Sequence, residues 1–297
     1  MNSRVNVLIS TYNGERYLRE QMESVLNQSY RNIEIYVRDD GSTDETRKIL
    51  ADYEKLSNVN IIYGDNIGYG KSFLTLLEIA DKGEYWSFCD QDDVWFPDKI
   101  RTAIEWFENQ EQEGPLLFHS AYYNTDEKLN KTDLIIKPKY KYNFVRAITE
   151  CLHLGFSEVM NASLRQLVLK GDKNNLITHD WWTELIAMKF GKVEFDNEPM
   201  CLHRRLSNSV SVHSMSARVK WFKNAWKGNA EITSCTKEFE RVFGQYIDDS
   251  ECKINRWFCN DKYDFVKSVK KAFYYHRWRP VLSSEIVVRI LMLCGKI

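Results

Sequence analysis

Within the first hundred residues, three short apolar runs each stop at a polar or acidic turn, and two of those turns open into a helix. Val5-Asn6-Val7-Leu8-Ile9 enters Ser10-Thr11-Tyr12-Asn13-Gly14, after which Leu18, Met22, Val25 and Leu26 follow at helical spacing. Ile33, Ile35 and Val37 alternate up to Arg38-Asp39-Asp40-Gly41, where glycine permits a sharp turn. Ser42-Thr43-Asp44-Glu45 matches a capping box, so a helix is expected to start there and carry Ile49, Leu50 and Tyr53 inward. The third run, Tyr85-Trp86-Ser87-Phe88-Cys89, has the length of a buried strand and leads into Asp90-Gln91-Asp92-Asp93-Val94-Trp95. Repeated strand–turn–helix units build an open α/β sheet, and such sheets bind ligands beyond the carboxyl ends of their strands. The predicted crevice gathers Ser10 to Asn13, Asp39, Asp40, Asp90, Asp92 and Asp93.

If strand alternation persists past Cys89, Asp90 and Asp92 project from one face with Asp93 close by. Carboxylates that close repel, and one takes up a proton unless a cation sits between them. Hard oxygen ligands of this kind suit Mg²⁺ or Mn²⁺, which keep several waters and bind through one or two carboxylates plus substrate phosphates. Gly70-Lys71-Ser72, after a strand over residues 60–63, has the look of a nucleoside-triphosphate loop. That pattern requires glycine where Asp65 stands, and an acidic side chain there repels phosphate.

Together, Ser10-Thr11-Tyr12-Asn13, Arg38-Asp39-Asp40-Gly41-Ser42-Thr43-Asp44 and Cys89-Asp90-Gln91-Asp92-Asp93-Val94-Trp95 resemble the family 2 glycosyltransferases. The resemblance continues through Asn66-Ile67-Gly68 and His179-Asp180-Trp181-Trp182, and covers roughly residues 5 to 210. The Asp-Gln-Asp-Asp-Val-Trp run combined with His-Asp-Trp-Trp is most similar to bacterial rhamnosyltransferases of cell-surface polysaccharide synthesis. The resemblance implies a GT-A fold, a mixed Rossmann-like sheet flanked by helices. It also implies inverting, metal-dependent transfer of a sugar from a nucleotide-diphosphate donor to a glycan acceptor, with Mg²⁺ or Mn²⁺ as cofactor. L-Rhamnose from dTDP-rhamnose is the favoured donor, with UDP-galactose, UDP-glucose and UDP-N-acetylglucosamine as alternatives.

Asp180 is the candidate base, at the start of a predicted helix holding Trp181, Trp182, Leu185, Ile186 and Met188. Thr178 is placed to cap it, and a carboxylate in the first turn is also favoured by the helix dipole, so a purely structural Asp180 stays open. By resemblance, His179 and one of Trp181 and Trp182 face the sugar or acceptor. Ser10, Thr11, Tyr12 and Asn13 line the nucleotide, and one of Asp39 and Asp40 accepts from the pyrimidine N3–H. Asp90 contacts the ribose or a metal-bound water, Asp92 ligates the metal, and Asp93 shares that task or faces the sugar. The family's Tyr-Arg-Gln-His-Gly-x-Asn cluster is replaced here by Leu202-His203-Arg204-Arg205-Leu206-Ser207-Asn208. Either His203 is a third metal ligand, or Arg204 or Arg205 holds the diphosphate directly, since guanidinium suits phosphate.

At 297 residues and net charge −1, the chain can bury a large core, and its bulk charge points to no partner class. Seven scattered cysteines without Cys-x-x-Cys spacing lead us to expect reduced thiols in a cytoplasmic enzyme. The only N-terminal apolar run, Val5 to Ile9, is interrupted by Asn6, so no signal peptide is expected, and no run approaches transmembrane length. A catalytic domain is expected over residues 1–212 and a mainly helical extension over 213–297. From Met215 onward, sixteen Lys/Arg face nine Asp/Glu, so this segment is basic where the remainder is acidic. Phe265, Val266, Val269, Phe273, Trp278 and Leu282 are interleaved with Lys262, Lys267, Lys270, Lys271, Arg277 and Arg279. The segment reads either as an annex packed on the catalytic domain or as a surface resting on anionic lipid. The second suits a lipid-linked acceptor at the inner face of the bacterial plasma membrane. Nucleic acid is disfavoured by the acidic catalytic half. Two other function classes are a non-catalytic nucleotide-sugar-binding protein and a nucleotidyltransferase. The second of these normally opens on a glycine- and basic-rich loop, not Ser10-Thr11-Tyr12-Asn13.

Overall fold

The structure is a computed structural model that describes residues 3–111, 114–152, 154–206, 223, 226, 231–259 and 262–297. Two compact units interleave along the chain. One comprises Met1–Lys137, His153–Leu169 and Thr178–Leu206, and the other Pro138–Leu152, Lys170–Ile177 and Ser207–Ile297. The expected boundary between residues 212 and 213 lies outside the described residues.

The first unit is an α/β sheet. Its strands are β1 (Val5–Thr11), β2 (Ile33–Asp39), β3 (Val59–Tyr63), β4 (Tyr85–Cys89), β5 (Val94–Trp95), β6 (Leu116–Thr125), β7 (Lys131–Ile135), β8 (Glu158–Asn161) and β9 (Lys192–Arg204). They run in the order β3-β2-β1-β4-β8-β6-β9-β5, with β7 paired to β6. β3, β2, β1 and β4 are mutually parallel, so their carboxyl ends share one edge. β8 enters antiparallel between β4 and β6, which makes the sheet mixed.

Helices α1 (Leu18–Leu26), α2 (Thr46–Tyr53), α3 (Tyr69–Ile79), α4 (Lys99–Glu108), α6 (Ala162–Val168) and α7 (His179–Phe190) flank it; the four-residue α5 (Phe144–Ala147) belongs to the second unit. The alternation of β1 has a direct outcome: Val5, Val7 and Ile9 join Leu18, Met22 and Val25 of α1 in one core. Each such side chain contributes about 1.5–3 kcal/mol through burial. Asn6, the polar interruption, is fully buried; its Nδ2 donates to the Lys82 carbonyl at 2.9 Å, while its Oδ1 has no hydrogen-bond partner. The helix after β2 starts later than the capping box suggests. Ser42 Oγ accepts from the Asn13 N–H at 2.9 Å, and the Asp44 carboxylate instead takes the Thr46 N–H at 3.0 Å. A local Asx contact has displaced the box.

In the second unit the described helices after residue 230 are α8 (Glu231–Phe243), α9 (Ser250–Asn255), α10 (Phe265–Ala272) and α11 (Leu282–Leu293). Trp278, fully buried, donates from its indole N–H to the Lys271 carbonyl at 2.9 Å and packs edge-on to Phe258. No helix among the described residues is long and apolar enough to cross a membrane.

Candidate active site

The register of the parallel strands assembles the site. Thr11 lies opposite Asp39, and Ile9 opposite Cys89, so the ends of β1, β2 and β4 emerge together. Two residues past Cys89, the Gln91 carboxamide accepts from Thr11 Oγ1 at 2.7 Å and from the Tyr12 N–H at 2.9 Å. Gly14 is required beside it, because a Cβ there would stand 2.4 Å from Gln91 Oε1. Gln91 therefore braces the first turn, a task its place inside an acidic run does not advertise. Tyr12 and Asn13 remain exposed above it, Asn13 in the left-handed region at φ 48°. Ser10 and Thr11 turn inward, Ser10 Oγ bonding Ser72 Oγ at 2.7 Å.

The two aspartates after β2 separate in role. Asp40 is saturated: it pairs with Arg38 and accepts from the Ile67 and Gly68 N–H groups at 3.0 and 2.9 Å. It pins the turn before α3. Asp39 accepts from the Ser42 N–H and from Arg47 Nε at 2.7 Å, and half of the Arg47 side chain is exposed.

Beyond β4 the alternation does not persist. The chain turns at Gln91 and Asp92, which brings Asp93 rather than Asp92 to the side of Asp90. Asp90, Asp93 and His203 offer ligand atoms within 4.8 Å of one another. The expected ligand set was Asp92, Asp93 and His203; the group that the geometry forms keeps Asp93 and His203 and has Asp90 in place of Asp92. Asp92 stands beside the group, its carboxyl raised to about 6 by burial and by the neighbouring Asp93 charge. Asp90 is pushed well above the usual carboxylate range, first by burial and then by Asp93, Asp92 and Asp180. Asp93 is fully buried; its Oδ1 faces His203 Nδ1 at 2.9 Å and accepts the Arg204 N–H at 3.1 Å. His203 stacks on Phe156 at 4.4 Å, which holds its ring plane. Asp93 Oδ2 and His203 Nε2 are buried without a hydrogen-bond partner. Two carboxylates and an imidazole, with orphaned donor atoms and mutual repulsion, fit a divalent cation with mixed oxygen and nitrogen ligation.

Asp180 lies in the first turn of α7, near enough to Asp90 for its charge to raise that carboxyl. Its own carboxyl is raised to about 6, chiefly by burial. Gly155 sits against this turn, since a Cβ there would meet His179 Nε2 at 2.6 Å. Thr178 occupies the cap position but makes no side-chain cap bond.

Several expected contacts are corrected here. Trp182 is fully buried and donates its indole N–H to the Val168 carbonyl at 2.9 Å, so it is core rather than an acceptor platform. Trp181 is 6% exposed and offers a sugar little surface. His179 is also buried, stacked on Phe73 at 4.1 Å with Phe88 edge-on at 4.5 Å. Burial lowers its imidazole to about 3. Arg204 is 3% exposed, and its guanidinium is taken by the Asp92 carbonyl at 2.7 Å, the Glu127 carbonyl at 3.3 Å and Glu20, so it does not clamp a diphosphate. Arg205 follows β9, half-buried, its N–H on the Thr125 carbonyl.

A second group was not anticipated. His119, Glu158 and Glu184 are fully buried with ligand atoms within 4.8 Å of one another, and neither Glu158 oxygen has a partner. Burial, then Asp180 and Glu184, pushes the Glu158 carboxyl well up. Polar residues inside the apolar runs Leu117-Phe118-His119 and Phe156-Ser157-Glu158 were the available signal.

The family model for glycosyl transferase family 2 matches residues 6–170. The chain belongs to glycosyltransferase family 2. Among its relatives is the dTDP-rhamnosyl transferase RfbG of Shigella flexneri, 27% identical over 258 residues, spanning 82% of this chain and 86% of RfbG. The structure of S. aureus TarS 1-349 in complex with UDP-GlcNAc superposes with a TM-score of 0.62 at 15% identity, covering 99% of this chain and 80% of that one. The mannosyltransferase PcManGT from Pyrobaculum calidifontis, solved with GDP-Man and Mn²⁺, gives 0.57 at 15% identity, covering 100% and 87%. The fold is the GT-A fold with a helical C-terminal region, and the chain is a glycosyltransferase.

Proposed function

We propose that the chain catalyses inverting, metal-dependent transfer of L-rhamnose from dTDP-rhamnose to a hydroxyl of a cell-surface glycan, carried on a lipid while it is assembled. One observation carries the catalytic part: Asp180 reaches the same strand-end edge as the Asp90–Asp93–His203 group. A base for the acceptor and a charge-bearing centre for the leaving group are the two demands of glycosyl transfer. The choice of rhamnose rests on the acidic and His-Asp-Trp-Trp motifs and on the likeness to RfbG.

In this reading Tyr12 and Asn13 line the nucleoside, and Asp39, fully buried with the Ser42 N–H and Arg47 on its carboxylate, holds the turn behind it. Asp90, Asp93 and His203 would hold the cation, and Asp92 borders it. When bound, that cation supplies positive charge for the departing diphosphate. Arg205, which follows β9, is the arginine that this reading assigns to the phosphates. Asp180 takes the acceptor hydroxyl proton as the acceptor oxygen bonds to the anomeric carbon. The bond from that carbon to the diphosphate oxygen breaks on the opposite face, so configuration inverts. The nucleoside diphosphate leaves with the electron pair. Phe73, Phe88 and His179 seal the rear of the α7 turn against water.

A donor screen tests the proposal, reading nucleoside-diphosphate release with dTDP-rhamnose, UDP-galactose, UDP-glucose and UDP-N-acetylglucosamine over an acceptor series. Preference for dTDP-rhamnose is expected; a UDP-sugar used faster overturns the rhamnosyl assignment. Activity that survives chelation in full overturns the metal centre.

A further inference from the structure

We infer that the outer face of α10 and α11 is a membrane-docking surface that lies in the plane of an anionic lipid leaflet. It is independent of the catalytic reading above.

Helix α11 is apolar on two opposite sides. Val288, Leu291 and Met292 are buried, with Glu285 between them. On the other side Leu282, Ile286, Ile290 and Leu293 follow one another at helical spacing and are 58, 52, 45 and 41% exposed. A helix that is hydrophobic all round belongs with apolar surroundings on both faces. α10 packs against α11, and Phe265 and Val266 at its start, with Phe273 and Tyr275 after its end, are 67, 60, 74 and 81% exposed. Scattered exposed apolar residues are ordinary; a four-residue stripe at helical spacing on one helix, with four more exposed apolar residues on and beside the helix packed against it, marks an interaction site.

Charge decides the occupant. Between Lys262 and Ile297 the acidic side chains are Asp264 and Glu285 alone. Asp264 is engaged as the α10 cap, accepting the Lys267 N–H at 3.0 Å, and Glu285 is buried against Arg289 at 2.6 Å. The exposed charged side chains among these residues are Lys262, Lys270 and Arg277. Aromatic and aliphatic groups rimmed by lysine and arginine match the boundary between acyl chains and anionic headgroups. A second copy of the chain seated on this face would set like charges opposite one another. At 12 residues α11 reaches about 18 Å at 1.5 Å per residue, too short for a bilayer core of about 30 Å. It therefore lies along the surface. Lys271, grouped with the surface lysines by its sequence, is not part of this face: it is buried, with Nζ over the Phe258 ring at 5.0 Å.

The test is co-sedimentation of the full chain with vesicles of phosphatidylglycerol and phosphatidylcholine, and with vesicles of phosphatidylcholine alone. Binding to the anionic vesicles is expected, weakening as salt rises. Lys262→Gln with Lys270→Gln and Arg277→Gln should weaken it by roughly a hundredfold, from the usual worth of three basic groups at a charged leaflet. Ile286→Ser with Ile290→Ser should abolish it at low salt with the melting temperature unchanged; Phe265→Ser with Phe273→Ser repeats the test on α10 and its flank. Equal pelleting with both vesicles, pelleting with neither, or indifference to both apolar pairs overturns the inference. So does a wild-type dimer by light scattering that Ile286→Ser with Ile290→Ser converts to monomer, since the face then serves a second copy. No donor or acceptor enters the assay, so failure here leaves the glycosyl-transfer reading standing.

Discussion

Asp93 and His203 stand 110 residues apart in the chain and 2.9 Å apart in space, joined because β5 runs antiparallel to β9. With Val94 opposite Leu202, the residue before the first meets the residue after the second. That single pairing turns a stretch that departs from the family's usual pattern into part of a candidate metal centre.

Removing the pair's donors should separate metal binding from folding. Asp93→Asn and His203→Ala are expected to lose most of the rise in melting temperature that Mn²⁺ with a nucleoside diphosphate produces in the wild type. Asp92→Asn, beside the group, should keep part of it. Thermal shift titrations check this, and an Asp92→Asn protein blind to Mn²⁺ while Asp93→Asn responds normally would restore the original ligand set.

Asp180→Asn should lower turnover by roughly two to four orders of magnitude, the usual worth of a general base. Donor affinity should stay within a fewfold, because the base serves the acceptor. Titration of the nucleoside diphosphate against both proteins reads the second quantity, and a collapse there would make Asp180 structural.

Activity should depend on pH in a definite direction. Asp180 works deprotonated and its carboxyl is raised to about 6. Turnover should therefore climb about tenfold per pH unit below about 6 and level off above it. The stability sign is opposite. Asp92 and Asp180 bind their protons more tightly folded than unfolded, so their contribution is fully present below 3.8 and is lost as pH rises to about 6. Mn²⁺ should accordingly raise the melting temperature more at pH 7.5 than at pH 5.

Arg204→Lys distinguishes architecture from phosphate binding. The guanidinium ties the Asp92 carbonyl to Glu127 and Glu20. Glu20 is half exposed and adds little, but leaving the buried carbonyls without a donor costs about 1–3 kcal/mol, of which lysine should recover a part. A clear drop in melting temperature is expected. A variant of unchanged stability and much weaker donor binding would return Arg204 to the diphosphate.

Glu158→Gln addresses the second buried group. Burial pushes the Glu158 carboxyl well up and so favours its protonated form, which an amide replaces almost isosterically. The variant should gain stability relative to the wild type as pH rises, because ionising the buried Glu158 destabilises the native protein. Strong destabilisation at pH 7, with a stoichiometric metal lost by elemental analysis, would mean that an ionised Glu158 holds a cation.

Local pattern alone was enough to determine the strands at Val5, Ile33 and Tyr85, the helices that follow the first two, and the edge where their ends meet. Period-2 and period-3.6 burial are properties of neighbouring residues, and the register Thr11–Asp39 follows from parallel pairing. The acidic run and Asp180 were visible for the same reason: charged residues stand out at the ends of apolar segments. Tertiary structure decided which of these residues face one another. The turn at Gln91 and Asp92 replaced a simple alternation and set Asp93 rather than Asp92 beside Asp90. Packing between α6 and α7 drew Trp182 into the core, and the same burial enclosed His179 between Phe73 and Phe88. Arg204 was claimed by carbonyls far along the chain, and the outer stripe of α11 was left uncovered. Each of these outcomes depends on contacts between segments far apart in sequence, whose geometry no local period encodes.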